Sequence, residues 1–121
     1  VVGENPLNDI YYSTGGGPEG VIAAAALKCF GGQIQGRLIL DENESERAKK
    51  LGINNPDKKF NIDDMIKGDV IFCASGVTSG DLAEGIRIFE KTYEVTTYVL
   101  HKSQNINKKI RNIYKKWDHF L

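Results

Sequence analysis

Apolar side chains run almost all the way round a helical projection of residues 18–30 (PEGVIAAAALKCF), from Val21 to Leu27 and again at Phe30, against the single charge of Lys28. A helix without a polar face is buried on most sides, and Gly31 and Gly32 are placed to cap its end. Residues 33–40 (QIQGRLIL) change the period. Ile34, Gly36, Leu38 and Leu40 alternate with Gln35 and Arg37, as in a strand with one buried face. Residues 68–75 (GDVIFCAS) form a continuous apolar run, which predicts a strand in the middle of a sheet. Residues 92–100 (TYEVTTYVL) and the shorter 9–13 (DIYYS) have the β-branched and aromatic content of strands.

Between these lie polar elements. Residues 41–52 begin with acids and end with bases before Gly52, which suits a helix dipole. Residues 1–8 and 54–57 read as loop and turn, and a short helix capped by Asn61 is expected over residues 62–67. Residues 82–91 fit either a short helix or a strand broken at Gly85. From Ile106 onward, Ile110, Ile113, Tyr114, Trp117 and Leu121 recur at helical spacing, with Lys108, Lys109, Arg111, Lys115 and Lys116 on the other side. The order of elements predicts an α/β fold: a layered domain with a mixed, mostly parallel β-sheet flanked by helices.

Chemistry concentrates at the entrance to the apolar helix, in Thr14-Gly15-Gly16-Gly17-Pro18-Glu19-Gly20 (TGGGPEG). Glycines there permit left-handed or restricted backbone and close approach of a ligand. Pro18 suits the first helical turn, and Glu19 meets the free amides and positive dipole end. Together they form a candidate seat for a cation on the carboxylate and an anion on the amides. The turn lacks the Walker lysine, and its glycines do not fit GxGxxG. Equally, a close-packed turn with an acid placed by the dipole explains the same residues. A second loop, Ser75-Gly76-Val77-Thr78-Ser79-Gly80-Asp81, also follows an expected strand and can border the same cleft or serve as a structural turn.

The 121 residues suffice for one domain with a core and carry 16 basic and 16 acidic side chains, so no overall field argues for nucleic acid or membrane. No apolar run approaches the roughly 20 residues of a membrane span, and no secretory or transit pattern is visible. Cys29 and Cys73 have no ligand spacing and read as reduced core residues of a cytosol-like compartment. His101 and His119 read as structural or surface residues, and no Ser/His/Asp arrangement is apparent. The chain starts with Val rather than Met, which predicts a fragment or processed product.

Several blocks in one order carry a resemblance: the GG-x-PEG turn with its alanine-rich helix, QIQGRLIL, GDVIFCASGVTSGDLAEGI at 68–86, and TTYVLHKS at 96–103. In these the chain resembles the C-terminal portion of class II fructose-1,6-bisphosphatases. The resemblance implies hydrolysis of fructose 1,6-bisphosphate to fructose 6-phosphate and phosphate in gluconeogenesis and glycerol metabolism, with Mn²⁺ or Mg²⁺ as cofactor. It also implies a cytoplasmic homo-oligomer with a phosphosugar substrate and no nucleic-acid or membrane partner. Carried over residue by residue, Glu19 is a metal ligand and Gly16 a substrate-binding residue. The motif departs from the family at Gly17, where Ala is usual, and at Ser13-Thr14, where Gly-Ile or similar is common. No catalytic residue is assigned within 1–121, because the remaining acidic ligands and the water-activating threonine belong to an N-terminal domain outside this sequence, in family chains roughly two to three times as long. The chain alone is therefore expected to be inactive. The alternative is a non-catalytic phosphosugar-binding or interaction module, and a weaker one is nucleic-acid binding through the basic final segment.

Overall fold

The structure, a computed structural model, describes residues 9–116. The chain divides into two compact units, Val1–Gly68 and Asp69–Leu121.

In the first unit, α1 (Gly17–Phe30) ends as its glycines dictate. Gly31 adopts φ 75°, and the amides of Gly32 and Gly31 bond back to the carbonyls of Leu27 and Lys28, a Schellman closure. A two-residue ladder of β1 (Gln35–Gly36) follows. Next comes α2 (Glu42–Lys50), where Asp41 and Glu44 form a reciprocal capping box. The strand β2 (Phe60–Asn61) pairs antiparallel with β1 and leads directly into α3 (Ile62–Met65), where Asn61 and Asp64 repeat the box. Residues 33–40 keep the expected alternation, with Ile34, Gly36, Leu38 and Leu40 half-buried and the residues between them exposed, although only Gln35 and Gly36 are laddered.

The expected burial of α1 holds only in part. Ala24 is fully buried, and Lys28 ties the helix to α3 through the Ile66 carbonyl (2.6 Å) and the Asp63 carboxylate (3.2 Å). Val21 and Ile22, on the first turns, stay exposed, because α3 packs against α1 and only the second half of the helix is covered within this unit. Residues 9–13 form no strand, and Ile10, Tyr11 and Tyr12 are open to solvent. Their strand propensity finds no ladder partner among the described residues.

The second unit is a sheet of β3 (Ile71–Ser75), β4 (Arg87–Ile88), β5 (Thr92–His101) and β6 (Ile106–Lys115). β5 is its centre. β6 pairs along its whole length on one edge, so β3 and β4 share the other. Every ladder is antiparallel, which corrects the expectation of mostly parallel strands within the α/β class. The reason lies in the connections: parallel neighbours need a crossover of a dozen or more residues, whereas β5 turns into β6 through residues 102–105, with Asn105 at φ 51°.

Two further corrections follow from this topology. Residues 71–75 lie at an edge rather than in the middle, and Cys73 is exposed rather than in the core, while Cys29 is half-buried. The segment expected to be a final helix is the strand β6. Ile106, Ile110 and Tyr114 are four apart, a spacing that also places them on one face of a strand, and the long free edge of β5 decides the outcome. Trp117, His119 and Leu121 lie outside the described residues.

One face of this sheet carries Glu94, Thr96, Tyr98 and Leu100, all buried. Arg111, on the same face, reaches Glu84 (2.9 Å) and Glu94 (3.4 Å), tying the loop of residues 76–86 to it. The opposite face bears Ile71, Cys73, Ile110 and the stacked pair Tyr93 and Tyr114, with Ile71, Cys73, Ile110 and Tyr114 exposed.

Candidate functional site

Gly16 is the N-cap of α1, followed by Gly17, Pro18 and Glu19 in the first turn. Pro18 has no amide hydrogen, and the first helical bond runs from the Gly20 amide to the Gly16 carbonyl (3.1 Å). The amides of Gly17 and Glu19 therefore lack intrahelical acceptors, and no side chain caps them. Residues 11–19 are exposed throughout. The positive end of the dipole and its free donors thus face solvent, the arrangement that receives an anion.

The glycines of this turn do not use the left-handed backbone that was one of the two purposes expected of them. None of Gly15, Gly16, Gly17 or Gly20 has positive φ; among the described glycines that belongs to Gly31, Gly52 and Gly68. Beside Gly15 and Gly17 no atom of the described residues, apart from their chain neighbours and the helix's own backbone, lies within 4 Å of a Cβ position. Glu19 is exposed and makes no hydrogen bond or ion pair with any described residue, so its carboxylate is free to bind a cation. A hard, unpaired carboxylate oxygen fits Mg²⁺ or Mn²⁺ as one ligand. Among the described residues no three His, Cys, Asp or Glu side chains cluster to complete a metal site.

The second loop is built in the opposite way. A Cβ on Gly76 would overlap the carbonyl oxygen of Glu84, and one on Gly85 would sit 2.7 Å from the Ser79 amide nitrogen. The Ser79 hydroxyl accepts the Gly85 amide at 2.9 Å, and the Ile86 amide bonds the Val77 carbonyl at 3.1 Å. This loop is a self-packed turn, and it lies in the sheet unit, whereas Gly16 and Glu19 lie in the first.

One cluster escaped the sequence reading. Asp69 Oδ2 accepts the Ser103 hydroxyl at 2.6 Å and lies 2.6 Å from His101 Nε2, and Ser103 Oγ is 3.1 Å from the same nitrogen. The hydroxyl and the imidazole beside it hold the Asp69 carboxyl well below the usual carboxylate range. A hydrolase triad puts the carboxylate and the hydroxyl on opposite ring nitrogens. Here both meet Nε2 and the serine proton goes to the carboxylate, so the trio is a clamp between the start of β3 and the end of β5. The signal was present only in the register: Asp69 precedes β3, and His101, the last residue of β5, pairs with Ile71 and is followed by Lys102 and Ser103. A shallow depression lined by Arg37 to Leu40 and Asp57 shares no residue with either cluster.

The family profile of bacterial fructose-1,6-bisphosphatase, glpX-encoded, matches residues 1–114. A D-fructose 1,6-bisphosphatase class 2/sedoheptulose 1,7-bisphosphatase of Synechocystis sp. is 34% identical over 116 residues, 84% of this chain and 34% of that protein. Proteins of the same name from Synechococcus sp. (strain JA-3-3Ab) and Trichodesmium erythraeum are 35% and 42% identical, over 84% and 62% of this chain and 33% and 26% of their own lengths. The chain spans about a third of the length of the curated relatives it matches.

Proposed function

The chain belongs to the family of bacterial, glpX-encoded fructose-1,6-bisphosphatases, and from that membership we propose that it is the C-terminal portion of a metal-dependent sugar-bisphosphate phosphatase. The substrate is fructose 1,6-bisphosphate, with sedoheptulose 1,7-bisphosphate as a second one, as the relatives' name suggests. Glu19 contributes one carboxylate ligand to Mn²⁺ or Mg²⁺. The bare backbone at Gly15 to Gly17 and the free amides of Gly17 and Glu19 receive a phosphate group, orient it along the helix axis and hold its charge. When held by Glu19 together with ligands from the N-terminal region, a divalent ion would supply positive charge toward the phosphoryl oxygens and a lowered water pKa.

The observation that carries this reading is Glu19 itself. It sits at the third position of an exposed helix N-terminus, within the matched residues, with no partner among the described residues. A single carboxylate does not make the site, and the N-terminal region of a family-length chain supplies the other ligands. The cytoplasm, with its reducing poise, suits two cysteines that form no disulfide. A homo-oligomer of the complete protein is part of the same proposal.

Glu19→Ala in the complete protein tests the assignment. Metal-dependent phosphate release is expected to fall at least about a hundredfold, the equivalent of roughly 3 kcal/mol of transition-state stabilisation. Near-normal release sinks the assignment of Glu19. The 121-residue chain alone is expected to release no phosphate from the bisphosphate in Mn²⁺, and turnover by a purified sample overturns the division of labour proposed here.

A further inference from the structure

We propose that the outer edge of β6 is a docking site for an extended, acidic segment of a protein partner, which joins the sheet as a further strand. The proposal rests on the sheet unit alone and is independent of Glu19.

β6 pairs with β5 along one edge over all of its 10 residues. The Lys116 amide bonds the Lys91 carbonyl at 2.9 Å, and across β5 the Gly76 amide bonds the Thr96 carbonyl at 3.1 Å. Hydrogen-bonded pairs alternate along an antiparallel ladder, so these two bonds set its phase. The even-numbered residues of β6 turn their backbone groups to β5, and Asn107, Lys109, Arg111, Ile113 and Lys115 turn theirs outward. Among the described residues no strand pairs with that outer edge and no backbone hydrogen bond reaches it. Every residue from 107 to 115 is exposed. An open edge of this length, about 34 Å, is a template for another strand.

Charge decides which strand. Residues 106–116 carry Lys108, Lys109, Arg111, Lys115 and Lys116 and no acid. Arg111 is held by Glu84 and Glu94, whereas the four lysines form no ion pair with any described residue. A second copy fits badly. Paired antiparallel about Asn112, two β6 strands would set Lys109 against Lys115 and Lys108 against Lys116, and like charges directly opposite destabilise a ladder. Lysine on an edge guards a sheet against its own kind, and the same charge selects an acidic partner. The faces divide the requirement: Lys109 and Lys115 lie on the face of Glu94 and Thr96, and Ile110 and Tyr114 on the opposite, exposed one. A strand with acids across from those two lysines and β-branched apolar residues across from Ile110 and Tyr114 meets both at the strand period of two.

A ten-residue peptide alternating Glu with Val is the probe, followed by fluorescence anisotropy on the 121-residue chain and on the complete protein. Both are expected to bind it, and in the 121-residue chain the amides of residues 107, 109, 111, 113 and 115 gain protection from hydrogen exchange. A peptide of the same charge with prolines in place of alternate valines is expected to bind at least about tenfold more weakly, because proline cannot donate to the ladder. Lys109→Glu combined with Lys115→Glu is expected to weaken the acidic peptide at least about tenfold and to favour a Lys and Val counterpart, with the melting midpoint moved by no more than about 2 °C. Should that variant melt much lower, the proline control and the amide map of the unaltered chain decide. Binding of the proline peptide or of a single-stranded oligonucleotide as tightly as the acidic strand overturns strand addition in favour of charge alone. Dimerisation through β6 that excludes the peptide, or a complete protein that does not bind it, overturns the proposal by showing the edge already taken.

Discussion

Two glycine-punctuated loops are built in opposite ways in this chain. In residues 76–85 the two outer glycines are squeezed, Gly76 against the backbone of Glu84 and Gly85 against Thr78 and Ser79, while Gly80 between them stands clear. In residues 15–20 they are bare, apart from the Glu19 carboxylate folded over Gly16. The first set answers to packing of the protein against itself. The second meets no packing partner among the described residues beyond its own chain neighbours, helix and Glu19, the openness that the proposed phosphate seat requires. Composition does not separate a structural glycine turn from a receiving one; the atoms that a Cβ would meet do.

The largest effect expected from this contrast is Gly76→Ala. The added methyl meets a backbone carbonyl, with the Glu84 carbonyl carbon 2.8 Å from the Cβ position, and neither can swing aside. Unfolding of the sheet unit, followed by urea titration, is expected to lose about 3 kcal/mol. A loss below about 0.5 kcal/mol would show that the loop yields, and would erase the distinction between the two segments.

How much of this was legible beforehand depends on the range of the interactions. Local signals were readable: Gly31 as a cap, Asn61 as an N-cap, the acid-to-base polarity of α2 and the period of residues 33–40 all appear as expected. Each is settled by residues within a turn or two of one another. Long-range pairing was not readable. Ile106, Ile110 and Tyr114 satisfy a helix and a strand equally well, and only the unpaired edge of β5, supplied by residues 92–101, chooses between them. The apolar run 68–75 misled for a related reason: continuous apolarity signals cover on both faces, and within this chain β3 has a neighbour on one edge and an open face. At the site, residue types pointed to the run Gly15 to Gly17 and to Glu19, and only the family resemblance singled out Gly16. Which glycine faces the carboxylate, and which stand clear, required coordinates.

A smaller effect of opposite sign sharpens the comparison from the other segment. Gly17→Ala places a methyl where no packing atom of the described residues lies within 4 Å, at a helical position without positive φ. Removing conformational freedom from the unfolded chain is expected to stabilise the first unit by about 0.4–1 kcal/mol, read as a higher urea midpoint. Destabilisation by Gly17→Ala would mean that the turn is packed after all, and the contrast with Gly76 would shrink.

The smallest effect concerns charge, and it distinguishes how the two units are fastened. Asp64 closes a capping box with Asn61, three residues away, and the Lys58 ammonium bonded to it, with the Asn61 amide, lowers its pKa. Asp69 is lowered by Ser103 and His101, which lie 34 and 32 positions along the chain. In both cases the folded pKa lies below the unfolded one, so the unfolded chain binds protons first. The stabilisation is complete above the ordinary carboxylate pKa of about 3.9 and is lost as pH falls below it toward the folded value. Asp69 is exposed and Asp64 half-buried at the surface, and solvent screening keeps each contribution small. The range of the contacts separates them: Asp69→Asn is expected to flatten the fall in the sheet's urea midpoint between pH 5 and pH 3, because its clamp joins two strands distant in sequence. Asp64→Asn, which disturbs a single turn, should leave the sheet's pH profile unchanged. Parallel profiles for the Asp69→Asn and unaltered chains would show that the clamp holds through its hydrogen bonds alone, independent of the charge.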